Sequence, residues 1–328
     1  EGTILESTAK EGEWYRIQIV TEEKESVSGY VHESLVIVIS PPPEKKEEIK
    51  VKEKEEEPTE IKVFPVPSLP SPEEHRLDLL LSGGLDFING GDLNSGAQGL
   101  AHFLRDSLAL EGEARVHPLR LSYIFGGELN FPLSPTFGLG VGVDYFFGSR
   151  ESRVEFRLND SIQNYITRPK ITAVPLRIFL SFHPFSVSYI KTGVEYYFAQ
   201  CVYLYRVENG ELWEEWKGEA KAHDFGFFGG FGVEWKIYPP LSLVVEATWR
   251  YARITGFEGK NTYRDSEGSF AKEEGKLYFY QGIGPGEKAY PLLFIRRNKP
   301  SGNDVSDPKE AIVDFSGLSL KVGIKIRF

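Results

Sequence analysis

The chain has 328 residues, 41% of them hydrophobic, with 33 Gly, 13% aromatics, one Cys, no Met and a formal net charge of −10. A single thiol, Cys201, rules out a disulfide framework within the chain. The acidic balance argues against nucleic acid as the main partner, because phosphate binding needs a basic face, and no run of about 18 apolar residues exists to cross a bilayer as a helix.

Length predicts about two domains. With Glu1 as its first residue and no Met, the sequence places the initiator and any signal segment outside itself. Residues 1–40 read as short strands at 3–7, 14–20, 28–31 and 35–38, with polar turns around Gly12 and across 22–25. Trp14 and Tyr15 open the second strand. Gly29, Tyr30, Val31 and His32 precede the last one, followed by Ser34 and Leu35. This pattern resembles the bacterial SH3 family. The family's first strand and its long loop have no counterpart here, so the module reads as incomplete. The resemblance implies binding of cell-wall peptides in an aromatic groove, with Trp14, Tyr15, Tyr30 and His32 at the matching positions. Core packing accounts equally well for Trp14.

Residues 41–74 read as a linker. Eight of the 20 prolines fall between 41 and 72, and 41–62 holds eight Glu and six Lys. Such a stretch buries too little to offset its ordering entropy, and its prolines favour an extended spacer. A Glu/Lys helix with i,i+4 pairs is the alternative.

From residue 75 to 328 the sequence alternates with period two. Leu318, Leu320, Val322, Ile324, Ile326 and Phe328 form one face of the last segment. Ser319, Lys321, Lys325 and Arg327 share the other with two glycines. An apolar face backed by a cationic one fits a wall between lipid and a polar interior, and about eleven residues suffice for a tilted strand to cross a bilayer. Seven further segments read the same way, around 76–87, 119–131, 137–147, 174–182, 190–204, 225–237 and 243–251. The connections alternate: short at 132–136, 184–188 and 239–241, long at 89–114, 148–169, 206–222 and 254–312. Aromatics fall at both ends. Phe87, Tyr145, Phe147, Tyr203, Tyr205, Trp249 and Tyr251 lie near the long loops; Phe131, Phe182, Trp235, Tyr238 and Phe328 lie near the short turns. The predicted fold is all-β: an eight-stranded antiparallel transmembrane barrel behind a small SH3-like module. A soluble lipocalin-type barrel, with its faces reversed, is the alternative.

The segment resembles the small eight-stranded outer-membrane barrel family. In that family the insertion machinery reads the final strand, which implies an assembly signal at Leu320, Val322, Ile324, Ile326 and Phe328. The resemblance also implies outer-membrane lipid and the barrel-assembly machinery as partners, and the outer membrane of a diderm bacterium as location. The short-turn end, where both barrel termini fall, would face the periplasm.

Alternation points Arg76, Asp78, Arg120, Glu128, Asp144, Arg177, Glu195, Glu234, Lys236, Glu246, Arg250, Lys321, Lys325 and Arg327 inward. They read as an ion-paired plug, since eight strands leave little room for water, and Gly thins the crowded lumen. His102, Asp106 and Ser107 share one loop without a recognised catalytic spacing. Six scattered His offer no metal set, and Cys201 reads as a packed thiol. No cofactor is expected. In the last long loop, 276–281 and 291–296 read as a hairpin. With Trp213 and Trp216 it suits a protein partner or self-association. The combined expectation is a non-enzymatic envelope tether or scaffold, with peptidoglycan or a periplasmic protein on the inner side. A narrow porin and a lipid-modifying enzyme are the alternatives.

Overall fold

The computed structural model describes residues 77–158, 161–185 and 187–328, together with three N-terminal strands. The chain divides into two units, Glu1–Glu74 and His75–Phe328. In the first, Glu6–Glu11, Trp14–Val20 and Ser26–His32 pair in sequence order as an antiparallel sheet. The strand predicted at 35–38 and the linker lie outside the described residues.

The second unit is built on eight strands: β1 (Asp78–Ile88), β2 (Leu121–Pro132), β3 (Phe137–Ser149), β4 (Lys170–Phe185), β5 (Ser188–Asn209), β6 (Leu212–Tyr238), β7 (Leu241–Tyr251) and β8 (Gly317–Arg327). Each pairs antiparallel with the next, and β8 pairs with β1, which closes the ring. All eight predicted segments become these strands.

Alternation decides which face looks where. Leu81, Phe125, Ile178 and Val322 are each 55–57% exposed on the outer wall, whereas Glu128, Arg177, Glu246 and Lys321 are buried inside it. The lipocalin-type alternative is overturned, because it needs charges outside and apolar residues within. Glycine makes room for large inward side chains, as expected. A Cβ at Gly232 would lie 2.1 Å from the Tyr189 ring, and one at Gly140 would lie 2.2 Å from the Phe179 ring.

Strands β5 and β6 run far past the rim. They stay paired from Ser188↔Val233 to Asn209↔Leu212, while β7 ends at Tyr251. The additional eleven or so residues of β5 add about 35 Å of ladder. Their edges do not stay bare. Strand Ser161–Thr167 takes the free edge of β5, and strand Glu258–Asp265 takes that of β6. Occupied edges offer no template to another chain.

Above the rim the inward face of β5 changes character, from Lys191 and Glu195 to Tyr197, Ala199, Cys201, Tyr203 and Tyr205, all buried. The expectation that Tyr203 and Tyr205 belong to the outer girdle is therefore corrected. Both sit on the inward parity and stack on each other, centroids 4.9 Å apart, beneath the cap. Phe87, Tyr145, Trp249 and Tyr251 do ring the outer wall at that end. Phe131, Phe182, Trp235, Tyr238 and Phe328 ring it at the other.

The cap is helix α1 (Asp92–Ser107) laid against strand Ala289–Arg296. The expected hairpin is present, with Lys276↔Arg296 and Gln281↔Pro291 in register. Two glycines set the helix distance: a Cβ at Gly99 would fall 1.8 Å from the Pro291 carbonyl oxygen, and one at Gly96 would fall 2.3 Å from Leu293 Cβ. Asn94 and Gln98 bind the returning chain. Leu119 N–H donates to Asn94 Oδ1 at 2.8 Å, and Val116 N–H donates to Gln98 Oε1 at 2.9 Å. Tyr165 donates to the Ala97 carbonyl at 3.1 Å.

Candidate functional site

The lumen holds its charges in three tiers. In the middle, three carboxylates meet three cations. Lys191 binds Glu128 and lies 2.7 Å from Glu246. Lys321 lies 2.9 Å from Glu246, 3.5 Å from Glu128 and 4.0 Å from Asp144. Arg177 lies 3.1 Å from Glu128 and also binds Asp144. Tyr189 and Thr248 donate to Glu246 at 2.8 Å and 3.0 Å. Toward the cap, Arg250 pairs with Asp86 at 3.0 Å and donates to Ser319 at 2.7 Å. Its guanidinium lies 4.3 Å from the Phe146 ring centroid. There Glu195 accepts from Tyr197 at 2.6 Å. At the short-turn end, Lys325 lies 2.8 Å from Glu234 and 3.5 Å from Asp78, and Arg327 joins the same two carboxylates.

Buried charges are tolerable only when paired and hydrogen-bonded, since each loses its hydration. The middle tier is paired, three carboxylates against three cations, while Lys321 Nζ and Arg177 Nε lack a hydrogen-bond partner. The tier also fills the bore. The cavity beside it, lined by Lys191, Tyr189, Glu128 and Ser181, is about 10 Å³, the space of one water. Next to the upper tier, Phe146, Tyr197, Phe315 and the β5 tyrosines belong to one apolar core, with Tyr197 5.9 Å from Phe315 between ring centroids.

Glu128, Asp144, Arg177, Glu195, Glu234, Glu246, Arg250, Lys321 and Lys325 are all buried in this lumen. Arg120 is not. The β1–β2 ladder stops at Phe87↔Leu121, so Arg120 lies past the strand end and is exposed, while Leu119 takes the buried place beside it. Lys236 is likewise exposed, at the irregular end of β6 where the register with β7 shifts. Arg76 lies outside the described residues. Lys191 and Asp86 were not in the predicted network, although their parity in β5 and β1 placed them on the charged face. On β8, Leu320, Val322, Ile324 and Phe328 are exposed on the outer wall and Ile326 is half-buried. In the N-terminal sheet, Trp14 lies opposite His32, Tyr15 opposite Val31 and Tyr30 opposite Arg16. Their side chains lie outside the described residues.

Outside the barrel, Asp106 closes α1. Arg105 Nε lies 2.7 Å from it, Lys288 Nζ 2.6 Å, and the Tyr290 hydroxyl donates to it at 2.7 Å. Hydrogen bonds from Arg105, Lys288 and Tyr290 hold its carboxyl well below the usual range. His102 is half-buried one turn away; burial and the Arg105 charge lower its pKa. Ser107 ends the helix, exposed. Cys201 is a buried free thiol packed in the apolar core that reaches the cap. Among the described residues no group of three or more His, Cys, Asp or Glu is placed to hold a metal ion.

No protein-family model and no curated protein matches the chain. Among solved structures, the outer membrane protease OmpT from Escherichia coli is similar at 12% identity and a TM-score of 0.34, over 64% of this chain and 65% of the protease. The chain thus spans just under two thirds of that protein's length. A major outer membrane protein from Thermus thermophilus is similar at 14% identity and a TM-score of 0.34, over 77% of this chain and 100% of that one.

Proposed function

We propose that the chain is a non-enzymatic outer-membrane anchor. Its sealed barrel is set in lipid, with a wall- or partner-binding module on the periplasmic side and an interaction surface outside. The observation that carries this reading is the contrast between the two faces of one wall. An unbroken belt of exposed Leu, Ile, Val and Phe surrounds a lumen filled by paired charges. Such a belt is stable in hydrocarbon and costly in water. A lumen crowded with paired charges argues against conduction and favours an anchoring role.

Topology supports the orientation. The turns joining β2 to β3, β4 to β5 and β6 to β7 are short; at the other end three connections are long, and the fourth, expected as a loop at 206–222, is instead the extended β5–β6 ladder closed by a two-residue turn at 210–211. Short turns mark the periplasmic end. β1 begins at that end, beside β8's last residues, which supports the proposed periplasmic side for the segment that precedes it. A non-catalytic reading is supported by Asp106, which is engaged by Arg105, Lys288 and Tyr290 rather than orienting His102.

Purified protein in planar bilayers is expected to be electrically silent. A reproducible conductance step would replace the anchor with the narrow-porin reading. For the tether, the full chain is expected to sediment with purified peptidoglycan and a chain lacking residues 1–40 to stay in solution. Equal retention of both would refute the tether.

A further inference from the structure

A groove of about 400 Å³ opens in the cap between strand Phe270–Ile283 and the segment that follows residue 296. Strand order explains why it exists. Strand Ala289–Arg296 pairs with one edge of Phe270–Ile283, with Tyr280 opposite Leu292. Strand Val305–Glu310 pairs with the other edge, with Gln281 opposite Ser306 and Gly282 opposite Val305. The two flanking strands run in the same direction. The segment 297–304 must therefore return from the level of Lys276 to that of Gly282, about 20 Å along the strand, across the face of the sheet. The groove lies beneath this arch.

Alternation puts Tyr280 and Gly282 on the covered face, with Leu292 beside them as floor. Gly282 is part of the space. A Cβ there would meet Leu292 Cδ1 at 2.5 Å, so a side chain would fill the floor. Along one wall, Arg296 donates to Glu273 at 3.1 Å, and Arg297 N–H donates to the same carboxylate at 2.8 Å. The opposite rim presents Asn298, Ser301 and Asp304. It is tied down where Ile283 N–H donates to the Asp304 carbonyl at 2.8 Å.

The charges along the groove cancel. Arg296 is neutralised in contact by Glu273, and Lys299 stands on the same rim as Asp304. A charged ligand would meet its own sign as often as the opposite one. What remains is an alternation of amide, hydroxyl and carboxylate over an apolar floor. That suits a molecule with hydroxyls around its edge and C–H bonds on its face. The volume is within the range of small-molecule pockets, roughly 300–1,000 Å³. We propose that this groove binds a neutral saccharide of about two rings. The inference deepens the outward interaction surface proposed above, and rests on it for the source of the sugar, not for binding itself.

The test uses the full chain folded in an amine-oxide detergent. Probes are maltose, lactose, N,N′-diacetylchitobiose and the delipidated core oligosaccharide of the host's outer-leaflet glycolipid. Binding is read by saturation-transfer NMR and calorimetry. At least one neutral probe is expected to bind. Its affinity should fall about tenfold or more in both Gly282→Val, which fills the floor, and Asp304→Ala, which removes an acceptor. Both variants should keep heat-modifiable gel mobility. Preference for the core oligosaccharide assigns the site to the membrane's own glycolipid, and preference for a disaccharide assigns it to a soluble glycan. Absence of binding by every probe at millimolar concentration overturns the proposal, as does equal affinity in wild type and both variants. Binding in detergent by a protein whose cap is inaccessible to protease on intact cells would leave the site standing and overturn the outward orientation instead.

Discussion

Lys321→Met is expected to cost the barrel about 3–5 kcal/mol, the range for removing one partner from a buried ion pair. Lys321 is fully enclosed and faces Glu246, Glu128 and Asp144. Without it, three carboxylates share Lys191 and Arg177, and one negative charge is left buried without compensation. Met fills much of the same volume, so the loss is electrostatic rather than a cavity. Urea unfolding in lipid vesicles, followed by Trp fluorescence, measures it. Adding Glu246→Gln should recover most of the loss by restoring the balance. A single variant within about 1 kcal/mol of wild type would show that water or ions enter the lumen freely, and the sealed-barrel reading would fall with it.

Val322→Arg acts on the other face of the same strand and is expected to cost about 2–4 kcal/mol in bilayers, the depth-dependent penalty at the midplane. Val322 stands in the middle of β8, between Gly83 of β1 and Val245 of β7, with its side chain exposed on the outer wall. A comparable change in the cap, Glu267→Arg, should be close to neutral because that residue is exposed in an outer turn. The pair separates a lipid-facing belt from a water-facing one. If Val322→Arg folds as well as Glu267→Arg in vesicles, the belt does not touch lipid.

Much of the barrel was legible because membrane strands impose an extreme version of period two. Neighbouring residues such as Lys321 and Val322 face a buried network and hydrocarbon, so their types cannot be exchanged. The eight strands, the long-loop and short-turn ends and most of the lumen followed from that constraint. It weakens wherever a strand leaves the belt. Arg120 has the inward parity of β2 and its carbonyl still accepts from Ile88 N–H at 2.9 Å, but it precedes the first paired residue, Leu121, and its side chain is exposed. Tyr203 and Tyr205 keep the inward parity of β5 above the rim, where the inside is an apolar cap rather than a polar lumen. Their aromatic character therefore imitated a girdle. Lys191 and Asp86 carried a readable signal, a charge on the inward face of a strand. The groove in the cap carried none, because it arises where one strand, Phe270–Ile283, is flanked on its two edges by the next two strands of the chain, Ala289–Arg296 and Val305–Glu310. Register across such pairs is set by tertiary contact.

The ladder between β1 and β8 differs from the others in one respect. Every other neighbouring pair in the ring joins consecutive strands, whereas this one joins residues about 240 positions apart, the kind of contact that slows folding most. Until it forms, the molecule is an open curved sheet with two bare edges, and its lumen charges face an unfinished interior. Closing this ladder completes the ring. Before it, the paired carboxylates and ammonium groups retain water; after it, they hold one another. The seam is the join that completes the wall around the interior charges.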